Sequence, residues 1–589
     1  MKKLISILFL ILFVSLHISC PGTSVVSYAV FFVVAIVLTC VTMRCIQGRL
    51  IKDFWHGNTL ALLYLLFLIA DWIIRGNAYG SVYCFFVIVC WLLFIYWGKL
   101  FESRYIQRIV LCSIIACAWI EIAVGFGQLY GLMENSSSFF QFGGSLGNPG
   151  AYSGYLSVIF PMVLSVYLIY RRHRKNEDLQ NVLLACLIFM LVLIVLSRSR
   201  GAWLACLIGC VFVIEHYYGV LRSIRKHFSC AQRLALSVLL GVGLLGGAFF
   251  LYKFKADSAD GRLLVWKVAL QAPRENIIFG DGCGSFEAKY SHWQRDYFAS
   301  GEGTEREKFL ADYVTCAYNE FLQLFIDQGL VGMLLFFGVI LFALLRKNSH
   351  RSHILIGAKA SLLAFLMLCC VSYPLHIPLL YLHLIIVLAL LLTQESTSRQ
   401  HIVKWMNLVM PVCILIATAF FSMMGLWMIY GNHLFEKGLD RAAHNDWPGS
   451  IAQFQKAYPI MNNNGSFLFC YAMTLTSANK PEKSIEMLKR AETKSSNPSI
   501  YNLMGENYKS TRNLMAAKDA YQKAVNTVPS HLYSRYKIVG LLMDMEHKEE
   551  ARELANEILN MKEKVPSVAV REIKDEMRQI VKESSNKNR

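Results

Sequence analysis

At 589 residues, 55% of them hydrophobic, the chain is too apolar for an ordinary soluble protein and reads as a polytopic membrane protein. Its formal charge of +18 would suit a polyanionic partner, but Lys and Arg fall in short clusters between apolar runs, as topology determinants do, so nucleic acid is excluded as the partner. Most of the 17 cysteines, among them Cys84, Cys90, Cys112, Cys117, Cys186, Cys206, Cys369 and Cys370, lie inside apolar runs with no Cys-x-x-Cys pair; they read as small buried hydrophobes rather than a disulfide scaffold.

In chain order, Lys2-Lys3 followed by the apolar Leu4 to Ser19 reads as a signal peptide or as a first transmembrane helix. Cys20 stands where a lipidation site would, but His17 occupies a position that such sites fill with an aliphatic residue. Further runs long enough to span follow at 25–43, 59–74, 80–98, 108–130, 151–170, 181–196, 202–218, 234–252, 320–345, 354–372, 377–393 and 407–430, about thirteen with the first. With the N-terminus inside, the inner loops carry Arg44/Arg49/Lys52, Lys99/Arg104/Arg108, Arg171/Arg172/Arg174/Lys175, Arg222/Arg225/Lys226/Arg233, Arg346/Lys347/Arg351 and Arg399/Lys404. Every basic cluster then obeys the positive-inside rule.

That topology leaves arginines on the wrong side. Arg75, Arg198 and Arg200 sit in short outer connections and Arg262 lies in the long outer loop, 253–319. Arginine at a membrane edge is costly unless it meets a counter-charge or an anionic ligand. The long loop also holds Trp266, Phe279, Phe286, Trp293, Tyr297 and Tyr313, too many aromatics for a solvated tail, so a folded cap is expected there.

After Tyr430 the chain turns polar and periodic. Ala457, Ala491, Ala524 and Ile558 are spaced by 34, 33 and 34 residues; Phe454, Leu488, Tyr521 and Ala555, and Ser450, Ser484, Ala517 and Ala551, keep nearly the same period. This is the tetratricopeptide pattern of stacked helix pairs, expected over 433–562, with a charged, frayed tail beyond. Such solenoids present a concave face to peptides or partners.

Four stretches could carry chemistry. In Ser197-Arg198-Ser199-Arg200-Gly201, two guanidiniums and two hydroxyls stand before a helix start, a setting for phosphate or diphosphate; the competing reading is an interfacial anchor snorkelling to headgroups. Gly261-Arg262-Leu263-Leu264-Val265-Trp266 is expected to open a helix of the loop, its arginine either functional or packed on Trp266. Tyr318-Asn319-Glu320-Phe321-Leu322-Gln323, with Asp327-Gln328-Gly329-Leu330-Val331-Gly332, marks where the loop re-enters the membrane, its polar residues lining a site or merely capping. Gly143-Gly144-Ser145-Leu146-Gly147-Asn148-Pro149-Gly150 lacks the Gly-Lys-Ser/Thr of a nucleotide loop and reads as a turn that lets backbone approach a ligand or another segment. His292, His376 and His383 are scattered and read as satisfied histidines, and no metal-ligand spacing is visible.

Taken together these stretches, over roughly residues 55–395, resemble the O-antigen ligase/polymerase superfamily of bacterial integral-membrane glycosyltransferases: the Gly-Asn-Pro at 147–149, Ser-Arg-Ser-Arg-Gly at 197–201, Gly-Arg-x-x-x-Trp at 261–266 and Asn-Glu-Phe-Leu-Gln…Gly-Leu-Val-Gly at 319–332. The resemblance implies an all-α fold: a polytopic bundle of about 12–13 transmembrane helices in the bacterial inner membrane with a periplasmic loop at 253–319 (residues 1–431), then a periplasmic, soluble tetratricopeptide-like α-solenoid (432–562) and a tail (563–589). It implies transfer of a preassembled glycan from undecaprenyl diphosphate, inverting and without metal or cofactor, to lipid A core, to a protein or to a growing lipid-linked chain, with a protein partner recruited by the repeats. A non-catalytic scaffold that presents its repeats is the other reading. Residue by residue, it makes Arg200 and Arg262 catalytic, with Arg198 on the diphosphate and Asn148, Asn319, Glu320 and Arg75 binding substrate. Tyr318 stands in the site where many relatives have His; a phenol of pKa about 10 is a poor base at neutral pH, so either Tyr318 only positions the acceptor, or Glu320, Asp312 or His292 takes the proton, or activity is altered or lost.

Overall fold

The structure, a computed structural model, describes residues 2–16, 24–46, 59–346, 353–392 and 406–586, apart from 138, 175, 275 and 565. The expected topology residues Arg49, Lys52, Lys175, Lys347, Arg351, Arg399 and Lys404, and His17 and Cys20, lie outside the described residues. Among those described the fold is all-helical, with no strand. The chain forms two compact units, each taken by itself.

The first unit holds α1 (Lys2–Ser15), α2 (Ser24–Ile46), α3 (Thr59–Arg75), α4 (Val82–Leu100), α5 (Arg104–Leu129), α6 (Pro149–Arg172), α7 (Glu177–Leu196), α8 (Arg200–Tyr218), the short amphipathic α9 (Val220–His227) and most of α10 (Cys230–Phe254). All thirteen apolar runs are helices, the last ones described below. Among the described residues eight helices are long and apolar enough to cross a membrane. The 14 residues of α1 extend about 21 Å, less than the hydrocarbon thickness of about 30 Å.

Helix α6 is the central one: every residue from Ala151 to Val163 is buried. It starts with Asn148 as N-cap and Pro149 at the first helical position, where a missing N–H costs nothing. It packs with α8 and with α15 (His353–Val371), and its Pro161 meets Gly209 of α8 so closely that a Cβ at Gly209 would lie 2.3 Å from the proline ring.

The segment between α10 and the later membrane helices forms α11 (Ala256–Gln271), α12 (Ser285–Ala299) and α13 (Glu305–Leu310) and falls in the second unit. The chain returns to the first unit for α14 (Glu320–Leu345), α15 (His353–Val371), α16 (Pro378–Leu392) and the start of α17 (Met406–Ala443). Helix α14 breaks at Gly329, whose φ of 66° and ψ of −170° only glycine adopts readily.

The second unit gathers 77–81, 252–317 and everything from Tyr430 onward, so the outer loop belongs with the repeats rather than with the membrane bundle as expected. The repeats are the end of α17 with α18 (Trp447–Met461), α19 (Gly465–Ser477) with α20 (Pro481–Glu492), α21 (Pro498–Ser510) with α22 (Leu514–Thr527), and α23 (Leu532–Asp544) with α24 (Lys548–Asn560). All twelve residues of the three sequence columns are buried. The period recurs in the backbone: the non-glycine residues Asn445, Asn479, Arg512 and Glu546, again 34, 33 and 34 apart, adopt left-handed φ at the turn inside each pair. The Ser450 hydroxyl donates to Gly438 O and that of Ser484 to Ala472 O, both at 2.8 Å, the same bond one repeat later.

The expected frayed tail is instead a helix, α25 (Val568–Asn586), packed on α24. Val570, Ile573, Met577 and Ile580 recur every three or four residues and, with Val581, close the last repeat, Met577 buried against its core.

One edge of the solenoid, made by the connections between successive pairs, holds the segments 77–81 and 252–317 of this unit. Asn463 and Asn464 side chains donate to Asn77 O (3.2 Å) and Gly80 O (3.3 Å), and Lys494 Nζ to Ala78 O (2.9 Å). Further along, Ser496 accepts from the Ser291 N–H and donates to Glu287 O (2.8 Å), Gln294 Nε2 donates to Thr527 O (2.6 Å), and Lys564 reaches Ala311 O and Asp312. Helix α12 thus lies along α22 with Phe286, Ala288 and Tyr290 buried. The long loop is folded, as its aromatic content leads one to expect, and it packs on the repeat edge.

Candidate functional site

In the first unit the glycine-rich stretch is folded against α5. Gln128 Oε1 accepts from the N–H groups of Gly143 (2.9 Å) and Gly144 (2.8 Å), and the carboxylate of Glu121 accepts from the Ser145 N–H (3.1 Å) and hydroxyl. Three successive N–H groups that could have met an anion are therefore taken. Gly144 has a φ of +60°, and a Cβ there would lie 2.2 Å from the Tyr152 ring, so the close approach serves packing. Asn148 caps α6, its Oδ1 accepting from Gly150 N at 2.8 Å.

The Ser197–Gly201 stretch is a tight turn between α7 and α8. Ser197 Oγ donates to Ile194 O (2.7 Å) and accepts from the Ser199 N–H, Arg198 adopts a left-handed φ of 51°, and Trp203 Nε1 donates to Ile194 O (2.8 Å). Arg200 opens α8 and donates through Nη1 to Leu251 O, near the end of α10, at 2.6 Å. Gly201 faces Val371, the last residue of α15, with a Cβ position 3.1 Å from the valine methyl.

The same end of α15 receives the loop-exit motif. Asn319 caps α14 by accepting from Leu322 N (3.1 Å) and donates through Nδ2 to Cys370 O (3.3 Å). Tyr318, held at a left-handed φ of 53°, sets its ring edge-on to Tyr373, centroids 5.7 Å apart. For a bulky residue that backbone conformation is strained and persists only where the surroundings dictate it. Glu320 is 1% exposed; its Oε1 accepts from Leu375 N at 2.7 Å and lies 3.5 Å from Nδ1 of His376. The structure thus brings Gly201, Tyr318, Asn319 and Glu320 to the α15 terminus and the short Pro374–His376 turn that follows it.

Arg75 is not part of this cluster. Arg75 pairs with Asp71 one turn earlier in α3 at 2.9 Å, the counter-charge reading of a membrane-edge arginine. Arg262 belongs to the second unit; it lies half-buried in the second turn of α11, which begins at Ala256, so the motif does not open its helix as expected. Nearby Trp266 donates to Ala317 O at 2.8 Å. In that unit Lys267 binds Tyr297 (2.6 Å) and Glu307 (2.7 Å), and the Thr304 N–H also donates to Glu307. Burial alone would raise the Glu307 carboxyl, but these donors together pull it down to about 2.

Two polar residues escaped the sequence reading. Glu121 is fully buried, and a lone acid within an apolar run was the available signal. In the sequence His376 is one of the scattered histidines; its meeting with Glu320 joins positions 56 apart (376 against 320), which no local pattern encodes. His383 does pair, through Nε2 with Ser361 at 2.8 Å. Among the described residues no group of three or more His, Cys, Asp or Glu is placed to hold a metal ion.

Fold and site together define a multi-pass, all-helical membrane protein with a helical-repeat unit. Residues 185–337 match the family described as O-antigen ligase, a segment that contains the motifs at 197–201, 261–266 and 319–332. The match supports a membrane protein that handles glycans. No curated protein matches the chain. Among solved structures, MamA is similar at 20% identity and a TM-score of 0.22, over 26% of this chain and 94% of MamA, a likeness that carries no argument.

Proposed function

We propose that the protein transfers a preassembled glycan from undecaprenyl diphosphate to a hydroxyl-bearing acceptor on the periplasmic face of the bacterial inner membrane, with inversion and without a metal. The observation that carries this reading is that one segment similar to O-antigen ligases contains the paired-arginine turn and the loop-exit motif, and both of these meet the end of α15. The sidedness is supported by Arg222, Arg225, Lys226 and Arg233, which follow the end of α8 opposite Arg200. In this reading Arg262 is a further residue that transfer requires, and Arg198 and Arg200 hold the diphosphate. Charge builds on its bridging oxygen as the glycosidic bond breaks, and preorganised guanidiniums in a water-poor site stabilise it. Asn319 and Glu320 shape the acceptor side, and Tyr318 positions the acceptor.

The test is transfer by purified full-length protein from undecaprenyl-diphosphate glycan to lipid A core, peptide and lipid-linked glycan side by side, with and without chelator. Product from one acceptor names the activity as ligase, protein transferase or polymerase. Arg200→Ala and Arg262→Ala are each expected to lower transfer by about 100-fold or more at normal protein level. Inhibition by chelator overturns the metal-free step.

A second reading has one observation in its favour: Arg200 ends on a backbone carbonyl, as a structural anchor would. For a non-catalytic scaffold, both arginine variants keep the cellular phenotype and deletion of 433–589 abolishes it.

A further inference from the structure

Joining a sugar to a hydroxyl releases a proton, and the phenol of Tyr318 is a poor acceptor for it at neutral pH. Two of the other groups available on sequence grounds are engaged elsewhere. His292 is held from both ring nitrogens, Nε2 by Glu492 O (3.0 Å) and Nδ1 by the Tyr501 hydroxyl (3.0 Å). Asp312 pairs with Lys564 at 2.9 Å. Glu320 is buried and spends one oxygen on the Leu375 N–H, while its Oε2 is buried without a hydrogen-bond partner.

That same carboxylate faces an imidazole. His376 Nδ1 lies 3.5 Å from Glu320 Oε1, a long contact of the kind that catalytic pairs show before substrate binds. The His376 side chain is 34% exposed against 1% for Glu320, so the acid is inside and the imidazole reaches outward. Tyr83 stacks on the ring at 6.4 Å and an interplanar angle of 11°, fixing its plane. Three residues back in the same turn, Tyr373 packs on Tyr318. A carboxylate at Nδ1 holds the proton there and leaves the lone pair on Nε2, the arrangement that makes histidine a general base.

We infer that His376 is the proton acceptor of the transfer reaction and that Glu320 is its positioning residue. The inference rests on the glycan-transfer reading above. In the step, the acceptor oxygen forms the bond to the anomeric carbon as the bond from that carbon to the diphosphate oxygen breaks. The electron pair of the broken bond leaves with the lipid diphosphate, and the hydroxyl proton passes to His376 Nε2 and then to water.

The experiment is the same transfer assay on His376→Ala, His376→Gln and Glu320→Gln, with unfolding temperature and donor KM measured for each. His376→Ala is expected to lose about 10²–10⁴-fold in kcat with donor KM and unfolding temperature unchanged, and added imidazole is expected to restore part of the rate. His376→Gln can still donate to Glu320 but cannot take the proton, and is expected to be as inactive. Glu320→Gln is expected to lower kcat by about 10-fold without moving donor KM. Either His376 variant transferring within threefold of the wild type overturns the inference and leaves the glycan-transfer reading standing. So does a loss that imidazole fails to restore and that a fall in unfolding temperature accompanies. Wild-type protein that transfers to none of the acceptors overturns the reading itself, and this inference with it.

Discussion

Polar side chains are used in opposite ways in the two units. In the bundle they are few, and several end on backbone: Glu121 and Gln128 on the N–H groups of 143–145, Asn148 and Asn319 on helix starts, Lys359 on Leu344 O and Arg346 O, with a few such as Arg75 and Asp71 or Ser361 and His383 pairing with each other. In the repeats they meet each other across exposed faces, as in Lys509 with Asp544, Lys518 with Glu550 and Arg535 with Glu557. Where lipid surrounds a segment, nothing replaces a lost partner, so a polar residue appears singly where the chain must turn. Where water is at hand, a broken pair is re-solvated at little cost.

The comparison is sharpest at Glu121. Glu121→Ala leaves the buried Ser145 N–H and hydroxyl without acceptors, at about 1–3 kcal/mol for each group, and should lower the unfolding temperature of the protein in detergent while loosening 143–150 toward proteolysis. An unchanged unfolding temperature would break the contrast.

Between the extremes lies His292, where a polar residue of the loop is buried against the repeats. Burial, with Arg295 beside it, pushes the imidazole below its ordinary pKa, while Glu492 and Asp296 pull the other way. A histidine whose pKa is depressed by folding contributes its stability above the unfolded value of about 6.5 and loses it as pH falls below that. Hydrogen exchange over 285–299, corrected for intrinsic rates, should therefore be faster at pH 5.5 than at pH 7.5, and His292→Gln should remove the difference.

The smallest effect is expected at Lys518, whose partner Glu550 is solvent-exposed at 3.2 Å. Lys518→Ala should leave the unfolding temperature of the repeats unmoved within error. A clear drop there would mean that surface pairs carry the solenoid after all.

These differences explain what could be read in advance. The apolar runs announced thirteen helices because each must satisfy its backbone internally, and the 34-residue columns announced the repeats because equivalent positions meet equivalent neighbours. Helix α25 was equally legible, since Val570, Ile573, Met577 and Ile580 keep helical spacing; the charges between them concealed it. The partners of the long loop were not legible, because the bonds from Gln294 to Thr527 and from Ser496 to Glu287 join positions more than 200 apart with no shared pattern. For the candidate site, the arginine turn and loop-exit motif stood out as charge against an apolar ground, whereas His376 gained meaning only when the turn after α15 set it beside Glu320.

The solenoid edge has a consequence for how the chain is made. The turn at 77–81 bonds to residues 384 to 416 positions later, and α12 to residues about 200 later. At about 5–20 residues per second, the first of these segments leaves the ribosome roughly 20 to 80 s before its support is synthesised. For α12 the same rates give about 10 to 40 s. Each segment must outlast its own interval unsupported, so residues 430–589 set the moment at which the middle of the protein can finish folding.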